Sequence, residues 1–247
     1  MNYNDGTGEV PLNKLGIIDS EVLWAAQQVT TAFRAGEMRE KLMVIRGRFD
    51  TLHFCQIHAF VLQDLYSWAG QTRHEVKSNR GPAIFDYPQR ITGPDTFPFA
   101  AATTVHHELD RISVAWKQEN GLRGLAQDEF VQRLATYCDH YDHVAPFQAG
   151  NAAVLLLVIE QLAQHAGYTV QFAETVVDQA GVNSWLTSMK DRNDWAQVLA
   201  SVTTPAPGLE AEIARRPSLR EEPVLVPRVR HQLADSWELK QVGAFFS

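Results

Sequence analysis

The chain has 247 residues, enough for one large domain or two small ones around a sizeable core. Lys and Arg number 22 against 29 Asp and Glu, a formal charge of −7. That balance argues against a protein that coats nucleic acid or an anionic membrane. Apolar residues make up 45% and charged residues 21%, with 15 Gly and 11 Pro, which excludes collagen-like, low-complexity and wholly disordered chains. Two cysteines, Cys55 and Cys138, are too few for a disulfide scaffold or a Cys-rich zinc site. Met1–Pro11 is polar with no apolar signal core, and the longest apolar run, Ala152–Ile159, is far short of a membrane span. A soluble cytoplasmic protein with no nucleic-acid or membrane partner is expected.

In chain order, the stretch to Asp19 reads as loop, rich in the turn formers Asn2, Asn4, Asp5, Gly6 and Gly8. A helix follows from Ser20, which can cap it, with an apolar face of Val22, Leu23, Ala26, Val29 and Phe33. Gly36 interrupts it, and Glu37–Ile45 is a candidate continuation. Asp50 caps a second helix whose face is Phe54, Ile57, Val61, Leu65 and Trp68, ending at Gly70. Residues 71–98 then collect Gly81, Pro82, Pro88, Gly93, Pro94 and Pro98. The strand-like pieces Thr72–Val76 and Ala83–Phe85, joined through Ser78–Gly81, predict an irregular hairpin. Helical spacing returns at Phe99–Trp116, at Asp128–Asp142 with Asp128 as cap, and at Asn151–Ala166 before Gly167. Shorter helices are expected at Asn183–Arg192 and Asp194–Val202. From Thr203 a run of prolines and arginines marks the edge of the main domain. The expected division is a domain over 1–202 and a C-terminal extension over 203–247, with an extended piece at Val224–Val229 and a candidate helix near Ala234. No internal repeat is present.

The stretch richest in chemical signals is His140–Asn151, His-Tyr-Asp-His-Val-Ala-Pro-Phe-Gln-Ala-Gly-Asn. One helix ends near Asp142, a Pro/Gly loop follows, and an apolar helix starts at Asn151. Gly150 lets the backbone take a positive φ, so that free amides at the next helix's start point into the loop. With the positive end of the helix dipole behind them, they could cradle a phosphate. A Gly-Asn turn joining two core helices is the plainer reading.

Ala145-Pro146-Phe147-Gln148-Ala149-Gly150-Asn151-Ala152-Ala153-Val154-Leu155-Leu156 resembles the Fic-domain signature H-P-F-x-[D/E]-G-N-G-R-x-x-R. Upstream, Phe49-Asp50-Thr51-Leu52-His53, Ile57-His58 and Leu65-Tyr66-Ser67-Trp68-Ala69-Gly70-Gln71-Thr72-Arg73 are similar to a second Fic element. Asn13-Lys14-Leu15-Gly16-Ile17 is similar to a third. The resemblance covers about residues 10–200, and the Trp-Ala-Gly piece is its most specific part. It implies a mainly α-helical, Fic-like bundle with a small β-hairpin flap at about 72–92 and a motif loop at 145–151.

Fic enzymes typically move AMP from ATP to a target hydroxyl. The motif histidine serves as general base, which requires a titratable group, and here it is Ala145. The acidic residue holds Mg²⁺ through oxygen, and here it is Ala149, so no metal ligand is expected. The arginines fork onto phosphate, and here they are Ala153 and Leu156. Pro146, Phe147, Gly150 and Asn151 survive, of which Phe147, Gly150 and Asn151 are the candidate nucleotide-binding positions. The resemblance therefore implies a relative of the adenylyltransferases with no catalytic residue of its own and strongly impaired AMP transfer. ATP, held weakly and without the Mg²⁺ ligand, is the cofactor it allows. Two alternatives stand beside it: a protein-binding module built on the flap and C-terminal tail, and a laboratory-inactivated form of an active toxin or effector. Leu156 is not an alanine and lies in a continuous apolar run, which favours a naturally degenerate motif.

His140 and His143 flank the loop as candidate displaced bases, or as solvated or cap-related histidines. His53 and His58 fit structural hydrogen bonds better than catalysis, and Trp68 fits a core anchor. His106-His107-Glu108 lacks metal-protease spacing. Within the flap, Arg73, His74, Lys77 and Arg80 form a basic patch in an acidic protein, read either as a solvated loop or as a docking surface. Lys77, Arg80, Ile84 and Phe85 are the candidate docking residues for a protein partner, joined by strand addition. Neither terminal region carries a convincing copy of the inhibitory [S/T]-x-x-x-E-[G/N] helix of some Fic proteins. The resemblance implies that a separate antitoxin once supplied it, or that nothing remains to inhibit.

Overall fold

A computed structural model describes residues 10–76, 89–92, 95–172, 195–209, 223–225 and 231–232. Its helices are α1 (Ser20–Arg39), α2 (Thr51–Leu62), α3 (Val105–Gln118), α4 (Gln127–Val144), α5 (Asn151–Ala166) and α6 (Trp195–Val202). The strands are β1 (Gln89–Thr92), β2 (Asp95–Pro98), β3 (Tyr168–Val170), β4 (Thr203–Pro205) and β5 (His231–Gln232). The mainly α architecture with a small hairpin is as expected. No helix among the described residues is long and apolar enough to cross a membrane.

The core lies between α2, α3, α4 and α5, with α6 and the β3–β4 ladder closing one side. On α5, Val154, Leu157, Val158, Ile159, Leu162, Ala163 and Ala166 are buried, because an apolar run this dense buries more than a single stripe. A second, smaller cluster of Leu23, Leu62, Leu65, Tyr66, Trp68, Val76 and Ala149 sits where the chain leaves α2 and meets the motif loop.

Several local expectations shift. The cap of α1 is Asp19, not Ser20: its Oδ1 accepts from the amides of Glu21 and Val22, both at 2.9 Å. Helix α4 starts at Gln127, which puts Asp128 inside the first turn, where its charge still faces the helix dipole favourably. Helix α2 ends at Leu62, eight residues before Gly70, while Leu65 and Trp68 stay buried in the turns that follow. Thr72–Val76 is a turn and not a strand. The amide and hydroxyl of Thr72 both donate to Glu75 Oε2, at 2.8 and 3.0 Å, half of a capping box that overrides the β preference of Thr and Val. The hairpin strands lie further on: Gln89 faces Pro98 and Thr92 faces Asp95. Ala83–Phe85, Asn183–Arg192 and the segment near Ala234 lie outside the described residues.

The largest departure concerns α1. Val22, Val29 and Phe33 are 55%, 71% and 63% exposed, and Leu23, Thr31 and Ala35 are the buried positions. Helix α1 is held by Leu23 and Ala35 in the two clusters and by forked ion pairs. Arg34 donates to both carboxylate oxygens of Asp64 at 2.7 and 2.9 Å, and Arg39 reaches Glu160 on α5 at 2.7 Å.

Past α6, the chain stays in contact with the fold. β4 pairs antiparallel with β3, and Leu209 and Leu225 are buried in the main core. Glu119 lies at the centre of a buried network: Oε2 accepts from Arg133 Nη1 at 2.9 Å, and Oε1 from Tyr137 Oη at 3.0 Å and the Val224 amide at 2.8 Å. Replacing Glu119→Ala removes the buried carboxylate facing a buried guanidinium, so a loss of about 3 kcal/mol or more is expected. Urea unfolding followed by circular dichroism reads this directly, and a loss under about 1 kcal/mol would remove the network from the stabilising features of the fold.

Candidate active site

The motif loop joins the C-terminus of α4 to the N-terminus of α5. Helix α4 stops because Ala145 takes a left-handed conformation, φ 40° and ψ 62°, and α5 starts after Gly150 at φ 76°. A side chain at 150 would be strained by that φ, and its Cβ would come within 2.5 Å of Leu62 Cδ1. Asn151 closes the loop on itself: its Oδ1 accepts from the Phe147 amide at 2.8 Å, and its Nδ2 donates to the Phe147 carbonyl at 2.7 Å. The first helical bond of α5 runs from the Val154 amide to Gly150 O at 3.1 Å, which leaves the amides of Asn151, Ala152 and Ala153 at the open end of the helix.

Two upstream residues hold this loop from behind. The ring of His58 stacks on Phe147, centroids 3.8 Å apart and planes 10° apart. Its Nδ1 accepts from the Gly70 amide at 2.7 Å, which fixes the proton on Nε2, and Nε2 donates to Ala149 O at 3.1 Å. Burial pushes its pKa down to about 3, so the imidazole is neutral. This residue bridges the Trp-Ala-Gly turn and the motif loop, the structural role expected of it. His53 has the same character, accepting from the Phe49 amide and meeting Ile45 O at 3.3 Å. Trp68 is buried against Tyr66, ring centroids 4.2 Å apart.

Arg73 is the second clamp, and its place corrects the expectation of a basic flap patch that includes it. It is fully buried. Its Nε donates to Ala145 O at 2.9 Å and its Nη2 to Val144 O at 3.2 Å and to Ala100 O, while its amide donates to Pro146 O at 2.8 Å. A guanidinium among the last carbonyls of α4 meets the negative end of that helix. The sequence signal was the arginine three residues after Gly70, within a family-like element.

The chemistry-bearing positions carry no charge. Ala145 and Ala149 are buried at 2% and 7% exposure, and Ala149 packs in the second cluster. Ala153 and Leu156 are half-buried against the main core. Phe147 is fully buried, so its ring anchors the loop and only its backbone is shared with it. A cavity of about 10 Å³ under the loop is lined by Tyr141, Asp142, Ala145, Asn151 and Leu155 among others; it has room for about one water. His140 does not supply a free base: Arg111 Nη2 lies 3.0 Å from its Nδ1, which must therefore accept. Among the described residues, no group of three or more His, Cys, Asp or Glu is placed to hold a metal. Lys77, Arg80, Ile84 and Phe85 lie outside the described residues.

Comparison with known proteins places this architecture. No family model matches the chain. The chain is 32% identical over 166 residues to the "Probable protein adenylyltransferase Fic" of Salmonella typhimurium, a match that takes in 67% of this chain and 74% of that protein. The chain belongs to the Fic family. It is also 31% identical over 170 residues to protein adenylyltransferase VbhT of Bartonella schoenbuchensis, over 69% of this chain but only 32% of that longer protein. Among solved structures, the N-terminal Fic domain of a VirB-translocated Bep effector from Bartonella quintana, with bound ADP, has the same fold. It superposes with a TM-score of 0.67 at 24% identity, covering 85% of this chain and 97% of that one.

In this Fic chain the scaffold of the loop can be tested apart from its chemistry. The folded-state pKa of His58 lies below its unfolded value, so the stability it confers is complete above about pH 6.5 and drains away as the pH falls toward 3. Its share of the slope is about 1.4 kcal/mol per pH unit below 6.5. A His58→Gln variant, whose amide accepts and donates at the same two atoms, should lose that share between pH 5 and 6.5. Unfolding free energies at several pH values decide this, and equal slopes in the two proteins would refute it. Gly150→Ala should cost about 2–4 kcal/mol, combining a left-handed backbone penalty with overpacking against Leu62. A thermal midpoint unchanged from that of the parent chain would contradict the positive φ.

Proposed function

We propose that this chain is a Fic protein that keeps the nucleotide loop of the adenylyltransferases while its AMP transfer is lost or strongly impaired. The observation that carries this reading is the replacement of the loop's reactive positions by packed methyls within an otherwise ordered loop. Ala145 has no atom that could take a proton from a target hydroxyl, and loss of a general base removes about 10²–10⁴ in rate. A Mg²⁺ ion does not fit at position 149: Ala149 has no side-chain oxygen, and its carbonyl already accepts from His58. Without Ala153 and Leu156 as arginines, no guanidinium on α5 meets developing phosphate charge.

A nucleoside phosphate remains the ligand best suited to the loop. The open amides of α5, Gly150 and Asn151 supply hydrogen bonds and the positive end of a 16-residue helix, and the Bartonella quintana domain of the same fold holds ADP. Binding there would be weak and independent of magnesium. The flap would then serve to dock a protein partner by strand addition, with Lys77, Arg80, Ile84 and Phe85 as contact residues, in the cytoplasm and without AMP transfer.

Calorimetry with ATP, with and without Mg²⁺, tests the nucleotide part. An affinity that Mg²⁺ changes by less than about twofold is expected, since a hard cation finds no protein oxygen there. No heat down to millimolar concentration would sink the nucleotide site and leave a partner-binding module. Labelling of proteins with α-³²P-ATP should stay at background for this chain. It should rise by at least about 100-fold when Ala145→His, Ala149→Asp, Ala152→Gly, Ala153→Arg and Leu156→Arg are combined. Robust labelling by the unaltered chain would overturn the loss of transfer.

A further inference from the structure

The hairpin β1–β2 does not stand alone. The sheet order is β1-β2-β5, with His231 opposite Thr96 and Gln232 opposite Asp95 in antiparallel register. A strand from the far end of the chain therefore lies on the outer edge of β2. An uncovered strand edge is a ready template for an extended polypeptide, and here the chain's own C-terminal region takes that place.

Two residues of ladder are too little to hold a strand in water by themselves. The second hold is upstream. The Val224 amide donates to Glu119 Oε1 at 2.8 Å, Val224 packs on the main core and Leu225 is buried in it. Glu119 is itself fixed by Arg133 and Tyr137, so Val224 docks on an atom that cannot move away. Residues 226–230 are all that separate this anchor from β5. Such a short tether keeps the strand at an effective concentration of roughly millimolar beside β2, enough to make a weak ladder persistent. The stretch from 226 to 232 carries Arg228, Arg230 and His231 and no acid, in a chain of net charge −7.

We propose that the C-terminal segment is a built-in ligand of the flap: β5 occupies the edge of β2 in cis, held in reach by Val224 and Leu225 on the Glu119 network. An extended peptide segment of a partner protein must displace it to add to the same edge. The inference deepens the docking reading of the flap and rests on it for the competitor alone. The pairing itself is read without any partner or nucleotide, so the two can fail separately.

Hydrogen exchange over residues 95–97 in the full-length chain tests it. His231→Pro removes the β5 amide that faces Thr96 across the ladder, and should speed exchange at 95–97 at least tenfold. Val224→Pro, which deletes the anchoring N–H, should speed exchange at 95–97 as well, although it lies far from them in sequence. A synthetic peptide of residues 226–236, at about 10 mM to exceed the effective concentration of the tether, should slow exchange again in the His231→Pro chain and leave the parent chain unchanged. Unchanged exchange at 95–97 in His231→Pro would overturn the proposal. So would a peptide that protects neither chain, or both equally.

Discussion

The carbonyls at the end of α4 have to be satisfied inside the protein: the Ala100 amide donates to His143 O at 2.8 Å, and Arg73 to those of Val144 and Ala145. An α-helix leaves its last four carbonyls without intrahelical donors. Here those of Val144 and Ala145 point away from bulk water, into a fully buried guanidinium whose backbone amide also bonds Pro146 O. The same guanidinium ties down Ala100 O, at the entry to α3. The left-handed Ala145, the turn into Pro146 and the start of the loop are thus held to a residue 72 positions earlier in the chain. Further along, Asn151 secures Phe147 and His58 secures Ala149. The loop is clamped by side chains at 144–145, 147 and 149, and at 146 by the Arg73 amide.

None of those clamps is one of the positions where the Fic signature places its base, metal ligand or arginines. Scaffold and chemistry are therefore separable in this fold: backbone geometry is set by Arg73, His58, Gly150 and Asn151, and reactivity by side chains that leave the loop. Alanine at 145 and 149 removes titratable atoms without removing any hydrogen bond that shapes the turn. At 153 and 156, where a signature arginine would need solvent or phosphate, Ala153 and Leu156 extend the apolar surface of α5 toward the main core. The substitutions fit a chain in which α5 serves packing first.

Features governed by local chemistry were legible in the sequence. Asn151–Ala166 is bounded by Gly150 and Gly167, both left-handed, and an apolar run between two such glycines leaves little freedom in where a helix starts and stops. Asp50 caps α2 through the His53 amide for the same local reason. What sequence could not show were choices made by distant partners. On α1 the apolar spacing of Val22, Val29 and Phe33 is helical but not inward: the face that meets the fold carries Leu23, Thr31 and Ala35, with Arg34 and Arg39 pairing to Asp64 and Glu160. Arginine is ordinarily a surface residue, so Arg73 reads as part of a basic patch until the end of α4 is seen to need a donor. Thr72–Val76 has strand-like composition, yet a single carboxylate at Glu75 is enough to fold it into a turn.

The position of Arg73 also bears on how the motif loop is joined to the rest of the fold. Arg73 also bonds Ala100 O, two residues past Pro98 at the end of β2. The chain leaving β2 and the motif loop therefore share one joint, made of a buried charge and the backbone carbonyls it bonds. Such a joint fixes where the hairpin leaves the domain, and a sheet edge is useful for recognition only when its position is defined. Losing Arg73 would free the backbone that follows β2 as well as loosen the loop, whereas the side chain at 145 takes part in neither set of bonds.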